Sequence, residues 1–310
     1  MLTGCGASVR ASAVTGPRCG AQTADVLARE AGYAAHQIYA NEVHGSKVAG
    51  DRRQVEGDAP LLRALRAGDR AGVQAAVSSL VYSHTHIVRL RVSAGGAVLA
   101  DVGGPYIIAP VAGTLTLRGR TVGRYVLSVQ DDIGYVKLVT RFIGAPVVLR
   151  SAGQAIPIRG VLAQAPSSIP DLGTVTVADS AFAAYSFYAH SFPSGALRVS
   201  LLVPMPGALH DETCAAVKAG EALVIARRTS RRYHLEPHSF YPYAAAVHRF
   251  TGAHVYLHLG GRPLTGLPSH GPAHLPASGT AVVGGIAYRV ASFHAPSTRG
   301  RVTVYVLIAE

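Results

Sequence analysis

Residues 86–104 read HIVRLRVSAGGAVLADVGG and contain the pattern on which the fold prediction depends. In the first half of this stretch, Val88, Leu90 and Val92 alternate with polar residues, which is the period of a half-buried β-strand. Gly95-Gly96 is a turn signal, and the apolar residues after it predict a returning strand. The stretch therefore predicts an antiparallel hairpin with one buried face.

Further strand signals follow this hairpin, and helical signals precede it. Residues 113–117 and 121–129 are strand-like runs separated by a short turn. Upstream, residues 24–45 and 60–82 carry apolar side chains at helical spacing, and a polar break is expected between them at residues 51–58. A strand meander preceded by helices is typical of an antiparallel sheet with helices on one face. We therefore predict an α+β fold, with N-terminal helices followed by antiparallel sheets.

An internal repeat links the two later parts of the chain. Residues 144–150 (GAPVVLR) match residues 252–258 (GAHVYLH), and each run follows a helical pattern ending in Arg-Phe, at 135–142 and 243–250. Further matches occur in the same order: Ile169-Pro170 with Leu275-Pro276, Gly173-Thr174 with Gly279-Thr280, Ser186-Phe187 with Ser292-Phe293, and the strands after Gly195 and Gly300. A fainter copy begins at residues 87–91. One unit, a helix followed by a strand meander, is predicted to occur two or three times.

The repeat predicts four segments. Residues 1–22 are rich in small residues without periodicity and are expected to be a tether, with a candidate lipoprotein N-terminus. Residues 23–143 hold the helices and the first sheet unit, residues 144–206 the second sheet unit, and residues 207–310 a helix and the third unit.

Composition narrows the class of protein. Apolar residues make up 49% of the chain and charged residues 15%, so the chain is not expected to be disordered. No apolar run is long enough to cross a membrane, and the chain is expected to be soluble. The formal charge is +12, but the arginines are scattered, apart from one cluster at Arg227, Arg228, Arg231 and Arg232. We therefore predict no nucleic-acid partner.

The cysteines bear on cellular location. Leu2-Thr3-Gly4-Cys5 resembles the lipobox of bacterial lipoproteins, in which the cysteine becomes the lipidated first residue. A lipoprotein signal needs charged and apolar segments upstream, so either the true start precedes Met1 or the match is chance. If Cys5 carries lipid, Cys19 and Cys214 remain as candidates for a disulfide, which an oxidising compartment would allow. Otherwise the three are unrelated thiols.

Three stretches together resemble a known family, the extracytoplasmic Cache sensor domain, a PAS-like fold of chemoreceptors and sensor kinases. These are residues 86–104, IIAPVAGTLTLRGRTVGRYVLSVQDD at 107–132, and GYVKLVTRFIGAPVVLR at 134–150. The resemblance is carried by Gly96–Asp101, by the loop Pro105–Pro110 and by the strand start Gly119–Gly123. It covers residues 24–150 well and residues 239–310 loosely.

The resemblance implies a small-molecule pocket over the sheet, beneath the loop between its second and third strands. The expected ligand is an organic acid, an amino acid or an amine, bound outside the cytoplasm. Two features depart from the family: no transmembrane helix or signalling domain follows, and the chain has no Trp for an aromatic cage. A sensor of this kind would pass its signal to a membrane partner, or would carry the ligand itself.

Two arginines and a tyrosine are candidates for that pocket. Arg89 and Arg124 lie on predicted strands and could anchor a carboxylate, although exposed arginines on a strand are commonly only solvated. Gln130 shares a face with Arg124. Tyr106, in the loop over the sheet, could close the pocket or lie on the surface.

The pair Asp131-Asp132 could cap a helix, bind the ligand, or do both. One carboxylate is expected to cap the helix that begins near Gly134. The other is then free to accept hydrogen bonds from an amine of the ligand.

Catalytic chemistry is not predicted. The segment Asp101–Pro105 resembles the nucleophile segment of chymotrypsin-like proteases, but Val102 stands at the serine position, so no nucleophile is present. His84 and His86 lack a third metal ligand nearby, and neither a metal nor a cofactor is predicted. The alternatives to a sensor are a structural or adhesive surface lipoprotein and an enzyme whose site is not recognised.

Overall fold

The computed structural model describes residues 17–83, 86–105, 107–152, 154–156, 166–193, 195–205, 209, 211–267 and 271–310. It has helices at the N-terminus followed by antiparallel sheets, so the predicted α+β class is confirmed. The helices are α1 (Thr23–His44), α2 (Ser46–Gly57), α3 (Ala59–Ala67), α4 (Arg70–Ser83), α5 (Asp132–Phe142), α6 (Cys214–Tyr233) and α7 (Phe240–Thr251), with short 3-10 turns at Gly20–Gln22 and Pro237–Ser239.

The strands are numbered in chain order. They are β1 (Arg89–Ala94), β2 (Ala97–Gly103), β3 (Ile107–Ile108), β4 (Val111–Leu117), β5 (Arg120–Ser128), β6 (Gln130–Asp131), β7 (Val147–Ser151), β8 (Gln154–Ala155), β9 (Leu172–Val177), β10 (Ser180–Phe192), β11 (Gly195–Pro204), β12 (His254–Leu259), β13 (Arg262–Leu267), β14 (Ser278–Val283), β15 (Ile286–Ser297) and β16 (Gly300–Ala309).

Two predictions about the N-terminal region are wrong. The polar break expected at residues 51–58 lies in helix α2 except for Asp58, which is the N-cap of α3. Val48 and Val55 lie two turns apart in α2 and are both buried, with Asp51 between them on the same face. The rest of α2 includes Lys, Ala, two Arg, Gln and Glu, which are good helix formers, and only Ala among them is apolar. The single helical stretch expected at residues 60–82 is two helices, because the chain turns at Gly68, where φ is +68°.

The strands of the described residues form three antiparallel sheets. The first has the order β2-β1-β5-β4. The second has the order β6-β3-β10-β11-β7-β8, with β9 pairing β10 beside β3, and the third has the order β13-β12-β16-β15-β14. The path β8-β7-β11-β10-β9 in the second sheet has the same connections as β13-β12-β16-β15-β14 in the third. Each of these two paths follows a helix, α5 and α7 respectively.

The second and third sheets each have two different faces. In the second, Val147 and Leu149 pack with helices α1 and α5, whereas Val148, between them, packs with Ile169 on the opposite face. This alternation follows from the two-residue period of a strand. The third sheet packs its helical face against α6 and α7. The first sheet packs against α2, α3 and α4.

A disulfide ties the start of the helical layer to helix α6. It joins Cys19 to Cys214, whose Cα atoms lie 4.6 Å apart although the residues are 195 positions apart in sequence. The candidate pairing of these two cysteines is therefore confirmed. Among the described residues, no helix is both long and apolar enough to cross a membrane.

Candidate functional site

A cavity of about 360 Å³ lies over the face of the second sheet that points away from the helices. Its floor comes from strands β7, β10 and β11, and its roof from Ser167, Ser168 and Ile169, which precede β9. A cavity of this size falls within the range used for small ligands. The resemblance implied a pocket over the first sheet, near Arg89 and Arg124, whereas this cavity lies over the second.

Three side chains form a row across the floor of this cavity. Arg150 on β7 is the cross-strand partner of Arg198 on β11, and Arg198 is in turn the partner of Tyr188 on β10. Leu149 and Val199, one position away, are buried on the helical face. Because successive side chains alternate between faces, the two arginines and the tyrosine point together to the other side.

The row carries more positive than negative charge. Arg198 forms an ion pair with Asp171 at 2.8 Å and donates to the carbonyl oxygen of Ile169 at 2.6 Å. Arg150 donates to the carbonyl oxygen of Pro166, but no carboxylate in the described part of the chain forms an ion pair with it. Like charges directly opposite each other on neighbouring strands repel. The arrangement therefore favours an anion between the arginines.

Burial and the neighbouring positive charge change the properties of both arginines. The pKa of Arg150 is lowered, first by burial and then by the charge of Arg198, although an arginine remains protonated in proteins. The Nε atom of Arg198 is buried and has no hydrogen-bond partner in the described part of the chain. A planar guanidinium with unused donors is well suited to a carboxylate, which can accept two hydrogen bonds at once.

Sequence reasoning missed this site, although its residues were within reach. Arg150 is the last residue of the repeated run at 144–150, and Arg198 begins the strand-like run after Gly195. Alternation along both runs could have placed the two arginines on one face of a sheet. Their pairing depends on the register between β7 and β11, which the sequence pattern alone does not supply.

The structure gives Arg89 a set of partners of its own. Its Nε and Nη2 atoms each donate to Asp101 at 2.8 Å, and its Nη1 donates to the carbonyl oxygen of Gly104 at 3.1 Å. Arg91 also binds Asp101, and both guanidinium groups lie over the ring of Phe192, at 4.7 and 4.2 Å from its centre. The hydrogen bond from Arg89 is the main reason that the pKa of Asp101 is lowered. Arg89 thus joins the first sheet to β10 of the second.

The other predicted ligand residues do not gather around Arg89. Arg124 is exposed and pairs with Ser93, whereas Arg89 pairs with Ser128, so the two arginines are separated by about 13 Å along the strand. Gln130 lies on β6, which belongs to the second sheet. Among the described residues, the predicted set does not line one common cavity. Tyr106 and Cys5 lie outside the described residues.

Of the two roles predicted for Asp131 and Asp132, the structure confirms the helix cap. Asp131 is the N-cap of α5 and accepts a hydrogen bond from the backbone N–H of Gly134, so the predicted cap is confirmed. Asp132 is buried and accepts from the N–H of Ile133 at 2.9 Å, and burial raises its pKa. A ligand contact for Asp132 stays a prediction.

A larger cavity, of about 540 Å³, lies among helices α1, α5, α6 and α7. Its walls include the apolar rings of Phe142 and Phe250, whose centres are 5.4 Å apart. Its polar lining includes Glu42, whose pKa is raised by burial, and Arg232. This cavity belongs to the helical layer and not to a sheet face.

No family model matches the chain, and no curated protein matches it. Among solved structures, the chain is similar to the periplasmic domain of Vibrio cholerae LuxQ, at 13% identity and a TM-score of 0.35, over 59% of this chain and 99% of that domain. It is also similar to the ligand-binding domain of the Pseudomonas fluorescens chemoreceptor CtaA in complex with L-alanine, at 12% identity and a TM-score of 0.34, over 60% and 98% of the two chains. For the ligand-binding domain of the Campylobacter jejuni chemoreceptor Tlp3, in complex with 4-methylisoleucine, the identity is 8%, the TM-score is 0.18, and the shares covered are 93% and 89%. Likenesses this weak identify neither a family nor a ligand.

Proposed function

We propose that the chain is an extracytoplasmic sensor module that binds a small organic acid in the cavity over the second sheet. The observation that carries the proposal is the cross-strand pair Arg150–Arg198, in which only Arg198 has a carboxylate partner among the described residues. A ligand carboxylate would offset the repulsion between the two guanidinium groups and accept hydrogen bonds from both. The ring of Tyr188 would form one wall against the rest of the ligand.

The disulfide supports a location outside the cytoplasm. A bond between Cys19 and Cys214 persists in oxidising compartments and is rare where thiols are kept reduced. A lipid on Cys5 would then hold the module at a membrane surface. From there, ligand binding would be passed to a membrane signalling partner.

The common strand order of the second and third sheets supports a tandem origin. In the third sheet the equivalent row is His258, Thr303 and His294, with no arginine among them. His258 is also almost fully buried, at 2% exposure. The proposal therefore assigns binding of the acid to the second sheet.

A thermal-shift screen of the full chain tests the proposal. The compounds are small carboxylic acids, amino acids and amines, since a compound that binds only the folded chain raises Tm. We expect a shift from acids that disappears in Arg150→Gln, which removes the cation and leaves a shorter, uncharged polar side chain. Arg124→Gln, at an exposed arginine of the first sheet, is the matched control and should keep the shift.

Each outcome of this screen discriminates. If Arg124→Gln abolishes the shift and Arg150→Gln does not, the ligand binds at the first sheet. If no compound shifts Tm, the structural or adhesive lipoprotein is favoured. Recovery of a bound acid in chemically altered form would instead favour an enzyme.

A further inference from the structure

The arginine cluster near residue 230 is not explained by the proposed sensor site. Arg228, Arg231 and Arg232 are spaced i, i+3 and i+4 in helix α6, which places them on one face. Arg227 turns elsewhere, with its guanidinium 5.6 Å from the ring centre of Phe293. Like charges at this helical spacing repel and destabilise the helix.

A second helix adds another arginine to this face. Arg141, in the last turn of α5, lines the same cavity of about 380 Å³ as the three arginines of α6, together with His234. Among the described residues, these five side chains line the cavity, and none of them is acidic. No carboxylate of the described residues forms an ion pair with any of the four arginines.

One member of the cluster is fixed by packing. Arg228 donates to the carbonyl oxygen of Thr140 at 3.4 Å. Its guanidinium lies against Gly144, where an added Cβ would be 2.5 Å from Arg228 Cζ. The glycine thus leaves room for a planar cation at the base of the cavity. A fixed guanidinium loses little freedom when it binds an anion.

The helix dipoles explain the position of only some of these arginines. Arg141, Arg231 and Arg232 lie in last turns, where cations interact favourably with the helix dipole. Arg228 lies more than a turn before the end of α6. The dipole also gives no reason for side chains of two helices to converge on one cavity.

We propose that this cavity, lined by Arg141, Arg228, Arg231 and Arg232, is a second binding site, specific for a phosphoryl group. Guanidinium groups bind phosphate oxygens in pairs of parallel hydrogen bonds, and several of them can surround one multiply charged group. Arg232 also borders the 540 Å³ cavity among the helices, which offers space for an organic part of the same molecule. The phosphoryl group could belong to a free phosphate ester or to the headgroup of an anionic lipid.

Titration calorimetry of the full chain with sodium pyrophosphate, at constant ionic strength, tests the site. The variant pair Arg141→Gln with Arg231→Gln should weaken binding about tenfold or more, since it removes two charged donors. The control pair Arg63→Gln with Arg66→Gln removes the same charge from exposed positions of helix α3, with Arg66 in its last turn. That control should stay within about twofold of the unmodified chain, because distant exposed charges are screened by salt.

A second measurement distinguishes a free phosphate compound from a lipid headgroup as the source of the phosphoryl group. Sedimentation with phosphatidylglycerol vesicles, compared with phosphatidylcholine vesicles, detects a lipid headgroup. Binding of pyrophosphate alone supports a free phosphate compound, and vesicle binding that the Arg141/Arg231 pair abolishes supports a lipid. Absence of both, or an equal loss in the α3 control, would overturn the proposal.

A conservative variant covers the case in which the Gln pair fails to fold by circular dichroism. Arg141→Lys with Arg231→Lys keeps the charge and removes the paired hydrogen-bond geometry. It should weaken pyrophosphate binding several-fold. A folded Lys pair with unchanged affinity would contradict the proposed guanidinium contacts.

Discussion

Arg150 on β7 and Arg198 on β11 stand directly opposite each other, with the exposed carboxylate of Asp171 bound to Arg198. Two cations in this position repel, so Asp171 and the carbonyl oxygens of the roof help to hold them together. An acid ligand would add a second negative charge beside Arg150. The guanidinium groups that line the cavity would thus also bind the ligand.

Replacing Asp171 with Asn should reduce stability in a salt-dependent way. The variant leaves both arginines without a carboxylate partner among the described residues, and exposed ion pairs contribute up to about 1 kcal/mol at low salt. Roughly 1 M salt screens the arginines from each other, so the difference should shrink there. Urea denaturation at low and high NaCl measures it. Asp179→Asn, in the turn between β9 and β10, is the control.

Breaking the Cys19–Cys214 disulfide should lower the free energy of unfolding substantially. The bond closes a loop of 195 residues, and removing a native disulfide typically costs about 2–5 kcal/mol. Guanidinium denaturation of Cys214→Ser, and of the unmodified chain with and without reductant, measures this loss. Cys5→Ser should unfold like the unmodified chain. An unchanged unfolding midpoint after verified reduction would contradict the stabilising role of the bond.

Glu221 in α6 should make stability fall as the pH rises. Burial, and secondly the charge of Glu30, raise the pKa of Glu221 from 4.5 to about 7 despite the opposing charge of Arg228, and its Oε1 has no hydrogen-bond partner among the described residues. Between these two values the folded chain binds more protons at this site than the unfolded chain does. The free energy of unfolding therefore decreases from about pH 4.5 to about pH 7, and the loss persists above that range.

The variant Glu221→Gln tests this pH dependence. It should be more stable than the unmodified chain above pH 7, and the difference should shrink as the pH falls and level off below pH 4.5, where Glu221 becomes protonated in both states. Denaturation curves across this pH range measure the effect. Glu212→Gln, at an exposed glutamate, is the control with the same chemical change. A parallel offset at every pH would mean that titration of Glu221 is not the cause.

Local patterns were sufficient to predict much of the fold. Helix α1 was expected at residues 24–45 and spans Thr23–His44, because its apolar spacing is regular. The turn at Gly95-Gly96 joins β1 to β2 as expected, and both glycines have positive φ. Helix α2 was missed because its buried face includes a carboxylate, that of Asp51, which the apolar pattern does not count.

The candidate site was less predictable, for a reason that the arginines illustrate. Arg89 could be placed on a strand, but its partner Asp101 lies across the hairpin, and that contact occupies the guanidinium. Arg150 and Arg198 are 48 positions apart in the sequence, and they meet only because β11 pairs with β7 in this register. The N-cap at Asp131 depends on three neighbouring residues and was predicted. Contacts set by tertiary register are therefore where sequence reasoning fell short.

Two helical glycines should respond in opposite directions to replacement with alanine. A Cβ added at Gly32 in α1 would lie 2.2 Å from the ring of Tyr185 on β10, whereas one added at Gly220 in α6 meets no atom of the described residues within 4 Å apart from its own helical turns. Gly32→Ala should therefore destabilise the chain by about 1–3 kcal/mol, because overpacking forces the helix away from the sheet. Gly220→Ala should stabilise it by roughly 0.5–1 kcal/mol through its higher helix propensity.

Chemical denaturation of both alanine variants measures these opposite effects, and Tyr185→Leu provides a rescue. The smaller leucine side chain should leave room for the added methyl group, so Gly32→Ala should cost less in the Tyr185→Leu background than in the unmodified chain. If Gly32→Ala is as favourable as Gly220→Ala, helix α1 does not approach the second sheet as closely as described. That close approach holds α1 on the helical face of β10. The opposite face of the same sheet is therefore left to form the cavity lined by Arg150 and Arg198.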